Sequence, residues 1–502
     1  MGRIADRLSA ATVDRLPASV RRPAYDRSLL KPGILHLGAG AFHRCHQAEY
    51  TDDALEARFG AWGVVGVNLR PPSISTLLDD QDGYYCRELR DNGRIERRLI
   101  GSVLDPSYDE HRLTLARAIA RAVSPDIRLI SMTVTEKGYC HIPATGELDE
   151  THPDVRHDIG DPARPVSVPG FILRVLSLRL QRGVPPPLIM SCDNVPDNAA
   201  TLRRAVLGLA RAVDPRLGDR IENEVRFLDT MVDRIVPATR PEYISAFAGE
   251  TGLLDYGLVA GEPFRMWAIE TGEGAELPAW DAAGALFVRD VRPYEILKMR
   301  VVNGIQSNVC QLGLLSGLEF MADVMAEGVF SAYAEQTIRR EVIPNLPDIG
   351  GIELETYLRQ TIARLRNADL KHSTLQISTD GSQKIRQRLL EPLRAGLKSG
   401  TPIGGLLLGL AGWMKYAAGR DWQGGALDVR DPLSAQTMQI GAASGGDMAV
   451  MVDRFLDIAQ VFGTDLKTNS DVKRRLTACL VALSQKPAIA VVAEHMAGHF
   501  GE

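Results

Sequence analysis

The residues best suited to chemistry lie close together in the segment Tyr294-Glu295-Ile296-Leu297-Lys298-Met299-Arg300-Val301-Val302-Asn303-Gly304-Ile305-Gln306. A lysine amine takes the proton of a hydroxyl when burial lowers its pKa toward roughly 7–8. The alkoxide that forms then needs fixed hydrogen-bond donors. On one continuous helix, Glu295 lies roughly 60°, Gln306 roughly 80° and Asn303 roughly 140° from Lys298. All four share one broad face. Taken by itself, Lys298 reads first as a surface lysine paired with a nearby acid.

A second set of residues is a glycine turn, Gly38-Ala39-Gly40-Ala41-Phe42-His43, which fits G-x-G-x-x with His43 where a third glycine is usual. Gly38 permits a tight turn, and Gly40 lets backbone approach a pyrophosphate. The following helix N-terminus, at Ala41 and Phe42, favours negative charge. His43 and Arg44 are expected in that first turn, leaning on phosphate. A bare G-x-G is also the turn of any α/β protein; its place after the first strand of a βαβ series points to a dinucleotide. The next strand ends at Asn68 and Arg70, beside the expected adenosine ribose. No acid stands there to select NAD, and Arg70 suits either the 2′-phosphate of NADP or a solvated loop.

The elements that must position these residues are legible as apolar runs. Ile34 to Leu37, Trp62 to Val67, Ile127 to Val134 and Pro187 to Cys192 read as strands separated by helical patterns, hence a parallel sheet. Thr201 to Val213 is an amphipathic helix with Leu202, Val206 and Ala210 on one face. Residues 1–32 read as a helix and an arm. From Arg292 onward the patterns are helical: Arg292 to Leu318, Val324 to Ile343, Leu354 to Arg366, Ser382 to Lys398 and Met448 to Val461. The fold class expected is α/β, a Rossmann-type domain over residues 1–286 and a mostly α-helical domain over 287–502, with the Gly-rich loop Thr271 to Ala283 at the boundary.

The bulk composition excludes several classes. A net charge of −5 gives no basic field for nucleic acid. The 6 cysteines are scattered without a Cys-x-x-Cys pair, which fits a reducing cytoplasm and no zinc ribbon. The charged N-terminal residues offer no signal-peptide core. Pro402 to Met414 is too short and glycine-rich to span a bilayer, so no membrane partner is expected. His495 and His499 have the spacing of two zinc ligands on a helix. Met496 and Gly498 are wrong for a zinc-protease helix and no third ligand is evident, so no metal is expected.

Three further strings follow the strands: Thr133-Val134-Thr135-Glu136-Lys137-Gly138-Tyr139, Ser191-Cys192-Asp193-Asn194 and Met231-Val232-Asp233-Arg234-Ile235-Val236-Pro237. With Gly38 to Asp52, Glu262 to Trp267 and Leu297 to Gly304, they resemble the mannitol dehydrogenase family, the polyol-specific long-chain dehydrogenases. The resemblance implies a metal-independent enzyme, commonly NAD-dependent with NADP as the alternative, often monomeric, with its site between the two domains. It implies oxidation of a secondary alcohol of a hexitol or pentitol to the ketose, or the analogous reaction of a sugar acid in a fructuronate reductase (D-mannonate oxidoreductase).

The resemblance also assigns roles. Lys298 matches the general base, Asn303 the oxyanion-hole asparagine and Glu295 a glutamate that relays protons. Gln306 departs from the family, whose string is Asn-Gly-Ser-His. A glutamine still donates a hydrogen bond but never becomes cationic. Asn194 and Asp233 match positions near the substrate, against an Asx turn for Asn194 and a salt bridge with Arg234 or Arg240 for Asp233. Thr135, Glu136 and Lys137 border the cofactor or substrate, against a solvated loop. His372, Asp380 and Lys384 resemble the substrate side, with helix capping the rival for Asp380. Lys384 or Arg364 would meet a carboxylate. A weakened nicotinamide-binding protein and an epimerase that retains NAD are the readings from other classes.

Overall fold

A computed structural model describes residues 6–69, 78, 80–105, 114–142, 145–272 and 274–498. The chain divides into two compact units, Met1–Arg292 and Pro293–Glu502; the sequence reading put that boundary at 286/287.

The first unit is built on a 6-stranded parallel sheet. Its strands are β1 (Pro32–Leu37), β2 (Gly63–Val67), β3 (Val103–Asp105), β4 (Leu129–Met132), β5 (Leu188–Ser191) and β6 (Phe227–Leu228), in the order β6-β5-β4-β1-β2-β3. The apolar runs form strands because side chains alternate between two buried faces. Leu35, Leu37, Val65, Val67, Ile130 and Met132 pack on one face with Phe171 and Leu176 of helix Val168–Arg182 and Leu202 and Val206 of helix Asn198–Val213. Ile34, Val64, Leu129 and Met190 face the other way, onto Ala48, Leu55, Trp267 and Trp280.

Register then sets the site. Leu37 pairs with Val67 on one side and Met132 on the other, and Met132 pairs with Ser191. The four strands end level, so Gly38, Asn68, Thr133 and Cys192 emerge at one sheet edge, where the strand order reverses on either side of β1. Open α/β sheets bind ligands at such an edge.

Two sequence expectations fail in this unit. The N-terminal helix is absent from the described residues; short strands Asp6–Arg7 and Val20–Arg21 and single 3-10 turns stand there instead. Thr12 Oγ donates to Arg7 O at 2.7 Å, a local bond that competes with helix. The antiparallel hairpin Tyr85–Asp91 with Arg94–Ile100 is additional to the expected parallel strands. Its Asn92-Gly93 turn, with φ +48° and +85°, is the signal that marks it.

The second unit is helical. At its centre the glycine-rich helix Gly404–Ala417 is buried along nearly its whole length. Its glycines are contact points. A Cβ on Gly409 would stand 1.6 Å from Asn308 Oδ1, and one on Gly412 2.7 Å from Leu312 Cδ2. Only glycine lets helix Val302–Leu314 approach so closely. Glu341 caps the buried N-terminus, accepting from Gly405 N at 2.8 Å and Leu406 N at 2.9 Å. No helix among the described residues is long and apolar enough to cross a membrane.

Four helices expected to be continuous are not. Val324 to Ile343 is divided among Met321–Ala326, Gly328–Thr337, the π turn Ile338–Val342 and the 3-10 turn Ile343–Asn345, and Met448 to Val461 breaks between Met448–Leu456 and Ala459–Phe462. The other two are Arg292 to Leu318 and Ser382 to Lys398. Arg292–Arg300 and Val302–Leu314 meet at Val301 (φ −93°, ψ −70°). The bonds Val301 N to Leu297 O and Ile305 N to Val301 O, both 2.9 Å, carry the chain through the bend. The angular estimate for Asn303 and Gln306 relative to Lys298 therefore applies only within each helix. Likewise Gly381–Ile385 and Glu391–Ser399 are joined by a π turn, Arg386–Leu390. Pro392 has no N–H for the carbonyl of Arg388, so the regular α ladder cannot run through this point.

Candidate active site

The candidate dinucleotide-binding residues of the first unit begin at the end of β1. Gly38 has φ +86°, and a Cβ there would stand 2.2 Å from Thr133 O. Its N–H donates to Val67 O at 2.8 Å, and its carbonyl accepts from Thr133 Oγ1 at 2.7 Å. Asn68 Oδ1 accepts from Ala39 N at 3.1 Å, which ties the turn to the end of β2. At Gly40 a Cβ would meet only Gly38 O, at 3.9 Å, so the chain faces open space there. Among the described residues the N–H groups of Ala41, Phe42 and His43 find no acceptor. An oxyanion fits this arrangement.

His43 and Arg44 do not lean on that space as the sequence suggested. His43 is 1% exposed and stacks on His36 with ring centroids 3.6 Å apart. Arg44 is 4% exposed, donates to Gly257 O and lies over the Tyr85 ring. Bulk at the third glycine position packs inward beneath the turn. His36 in turn bonds Ser131 Oγ at 2.8 Å and Thr133 Oγ1 at 2.9 Å. Burial pulls its pKa to about 3. Arg70 lies outside the described residues.

Asp193, which sequence reasoning did not single out, fixes the turn after β4. It accepts from Val134 N at 3.0 Å, Thr135 N at 2.9 Å and Tyr139 Oη at 3.0 Å, and burial raises its carboxyl pKa. This clamp holds Thr135 at φ +65°, a backbone region a β-branched residue rarely enters. Strained backbone of this kind clusters at ligand sites. Glu136 and Lys137 follow in an exposed 3-10 turn, and Asn194 is exposed next to Asp193. Asp233 is buried on strand Thr230–Asp233. Arg234 turns away to Glu49 and to Cys45 O.

A second group of candidate residues lies in the helical unit. Lys298 is 9% exposed, Asn303 6% and Gln306 7%. Glu295, half-buried, precedes Lys298 by one turn. The Asn303 amide is 3.3 Å from Met299 Sδ, a weak acceptor, and the Gln306 carboxamide makes no hydrogen bond among the described residues. Both amides keep donor capacity for a ligand oxygen. Lys384 donates to Ile377 O at 3.3 Å and to Thr379 O, and its pKa is lowered by burial and then by Arg388. Burial and the nearby Lys384 pull His372 to about 4. Asp380 opens helix Gly381–Ile385 at φ +55° without capping it by its side chain.

Arg388, on the π turn, is the residue sequence reasoning missed here. Its Nη1 donates to Ser307 Oγ at 3.2 Å, immediately beyond Gln306. Its position four residues after Lys384 was a readable signal, obscured by the expectation of a regular helix. His495 stacks edge-on against Tyr333, and His499 lies outside the described residues. Cys140, His152 and Asp154 bring potential metal ligands within 4.8 Å of one another, but His152 Nδ1 already accepts from Asp154 N at 3.2 Å.

Residues 32–282 match the mannitol dehydrogenase Rossmann domain and residues 290–484 the mannitol dehydrogenase C-terminal domain. The chain belongs to the mannitol dehydrogenase family. Among its relatives within the family, D-mannonate oxidoreductase of Escherichia coli is 40% identical over 94% of this chain and 98% of that protein. Mannitol 2-dehydrogenase of Cereibacter sphaeroides is 33% identical over 95% and 99%. A solved ternary complex of Pseudomonas fluorescens mannitol 2-dehydrogenase with NAD and D-mannitol has TM-score 0.85 at 30% identity, covering 98% of this chain and 99% of that one. This family member is an oxidoreductase acting on polyols or sugar acids.

Proposed function

We propose that the chain interconverts a secondary alcohol of an open-chain sugar derivative and the matching ketone, with NAD as cofactor and NADP as the alternative. The observation that carries this reading is the buried lysine Lys298 in the same helical segment as two buried amides, Asn303 and Gln306, that hold donors in reserve. Gly38, Gly40, Ala41 and Phe42 would hold the pyrophosphate, Asn68 would lie near the ribose, and Thr135, Glu136 and Lys137 would border the nicotinamide end. The nicotinamide, when bound, accepts the carbinol C–H electron pair as hydride.

Everything else falls to the chain's own side chains. Lys298 takes the hydroxyl proton. Asn303 Nδ2 and the Gln306 amide donate to the oxygen as its charge grows. Glu295 passes the proton from Lys298 to solvent. The products balance as ketone, reduced cofactor and one proton. Asn194, Asp233, His372 and Lys384 would bind the remaining hydroxyls or a terminal carboxylate.

The sugar acid is the substrate this site favours, because two cations, Lys384 and Arg388, stand near the donors and the D-mannonate oxidoreductase is 40% identical. A hexitol is the second reading, favoured by the likeness to the mannitol complex. The test is an absorbance screen at the reduced-nicotinamide band, crossing both cofactors with hexitols, pentitols and hexonates. Cofactor-dependent turnover of at least one class supports the reading. No net cofactor change with any of them removes it, leaving an epimerase or a binding protein.

A further inference from the structure

Arg388 is a half-buried cation. Desolvation draws its pKa down to about 10, and among the described residues the group that opposes this is the Cys310 thiol. That thiol is itself pushed up to about 11 by burial, so it is no counter-ion at neutral pH. Among the described residues Arg388 makes a single hydrogen bond, to Ser307 Oγ, and no ion pair. Arg179 shows how the same fold satisfies such a group without an acid: it too is drawn to about 10, but it donates to the carbonyls of Ala122, Ser124, Ile127 and Pro185. Arg388 has no such set. A half-buried guanidinium with one protein partner keeps most of its five N–H donors for a ligand.

Its place fits a ligand. Ser307 lies one helical turn beyond Asn303, about 6 Å along the axis. An extended hexonate covers that span between an inner carbinol and its carboxylate. Two acids, Asp380 and Asp431, face Lys384 rather than Arg388, and Asp431 also accepts from Ser382 N at 2.7 Å and Ser382 Oγ at 2.6 Å. Arg388 lies close enough to Lys384 for its charge to help lower the lysine's pKa. We infer that Arg388 is the specificity-determining cation of this site, taking the carboxylate of an open-chain sugar acid in its guanidinium fork, with Lys384 beside it. A planar fork matches a carboxylate bidentately, which a hydroxymethyl end cannot do. This inference rests on the sugar-acid reading above.

The test compares the wild-type chain with Arg388→Met and Arg388→Lys, using D-mannonate and D-mannitol as probes. The ratio of kcat/KM for D-mannonate to that for D-mannitol should fall about 100-fold in Arg388→Met, mostly through KM, with Arg388→Lys between. An unchanged ratio overturns the inference. In parallel, D-mannonate is titrated calorimetrically into each cofactor-loaded protein. A chain that turns over neither probe loses the proposed reaction, while the titration still tests Arg388. Binding weakened at least about 10-fold in Arg388→Met supports the carboxylate role. Equal affinity in the variants, or no binding to the wild type, refutes it. Should Arg388→Met fail to fold, Arg388→Lys gives the same two readouts at a smaller amplitude.

Discussion

The arginines around helix Gln47–Ala57 of the first unit and Arg388 of the second are treated differently. In the Rossmann unit, helix Gln47–Ala57 sets Glu49, Asp52, Asp53 and Glu56 on one face by their i, i+3, i+4, i+7 spacing. Arg98 meets Asp52 at 2.6 Å, Arg87 meets Glu49 at 2.8 Å, Arg265 meets Asp53 at 2.6 Å, and Arg234 also pairs with Glu49. The guanidiniums of Arg98 and Arg87 reach back from the hairpin, and those of Arg234 and Arg265 from the segments around strand Met266–Glu270, so the network joins three elements. In the helical unit Arg388 has only a serine hydroxyl. Paired charge holds a fold together, whereas charge kept without a partner waits for something that arrives from outside.

That contrast can be broken from either side. The largest effect should come from the helical unit: Lys298→Ala lowers turnover by about 10²–10⁴-fold and leaves dinucleotide binding, followed by fluorescence titration, close to wild type. A variant with full turnover would remove the base. Next, Arg234→Met should cost about 3–5 kcal/mol in urea unfolding, because it leaves Glu49 buried with one cation fewer. Arg388→Met should cost less than about 1 kcal/mol by the same measurement, since no carboxylate is orphaned. Equal losses would erase the distinction between the units. A cost between these two, about 1–3 kcal/mol, is expected for Gly409→Ala, whose methyl collides with Asn308; calorimetry of the thermal transition would show it.

The smallest effect is a slope. His36 and His46 are drawn to about 3 by burial and His43 well below its usual 6.5. Between those values and 6.5 the unfolded chain binds more protons than the folded one, so stability falls as pH drops through that window. Asp255, raised to about 6, works with the opposite sign, since its burial costs stability as pH rises from 3.8. Asp52, Asp193, Asp229, Glu270 and Glu341 are raised as well, and His141, His372 and His495 are lowered like the three rings, so the share of one ring is read as a difference. From about pH 6.5 toward pH 4 the urea midpoint of His43→Phe should fall less steeply than that of the wild type, by about one proton. Equal slopes in the two proteins would contradict the burial of this ring.

Much of this architecture is legible in the sequence. Gly38 announces its turn because only glycine fits against Thr133 O at that φ, and the apolar runs on either side leave no other assignment. The hairpin Tyr85–Ile100 escapes because Arg87 and Arg98 read as solvent-facing, while in the fold both are buried against the acids of Gln47–Ala57. His43 and Arg44 are misplaced for a related reason. A first helical turn points to a phosphate by backbone, and its side chains are free to pack elsewhere. Lys298, Asn303 and Gln306 are found through a motif, but the bend at Val301 belongs to tertiary packing and leaves no local mark. Arg388 is hidden because a π turn breaks the period on which helix faces are counted.

The glycines of the central helix have a last consequence. Gly409 and Gly412 receive the Asn308 and Leu312 side chains directly, and any side chain placed on either glycine would push the two helices apart. The seat of Asn303 and Gln306 is inherited rather than adjustable. Descendants of this scaffold that acquire a new substrate must do so by exchanging side chains such as those at 306 and 388, while the distance from which they reach stays the same.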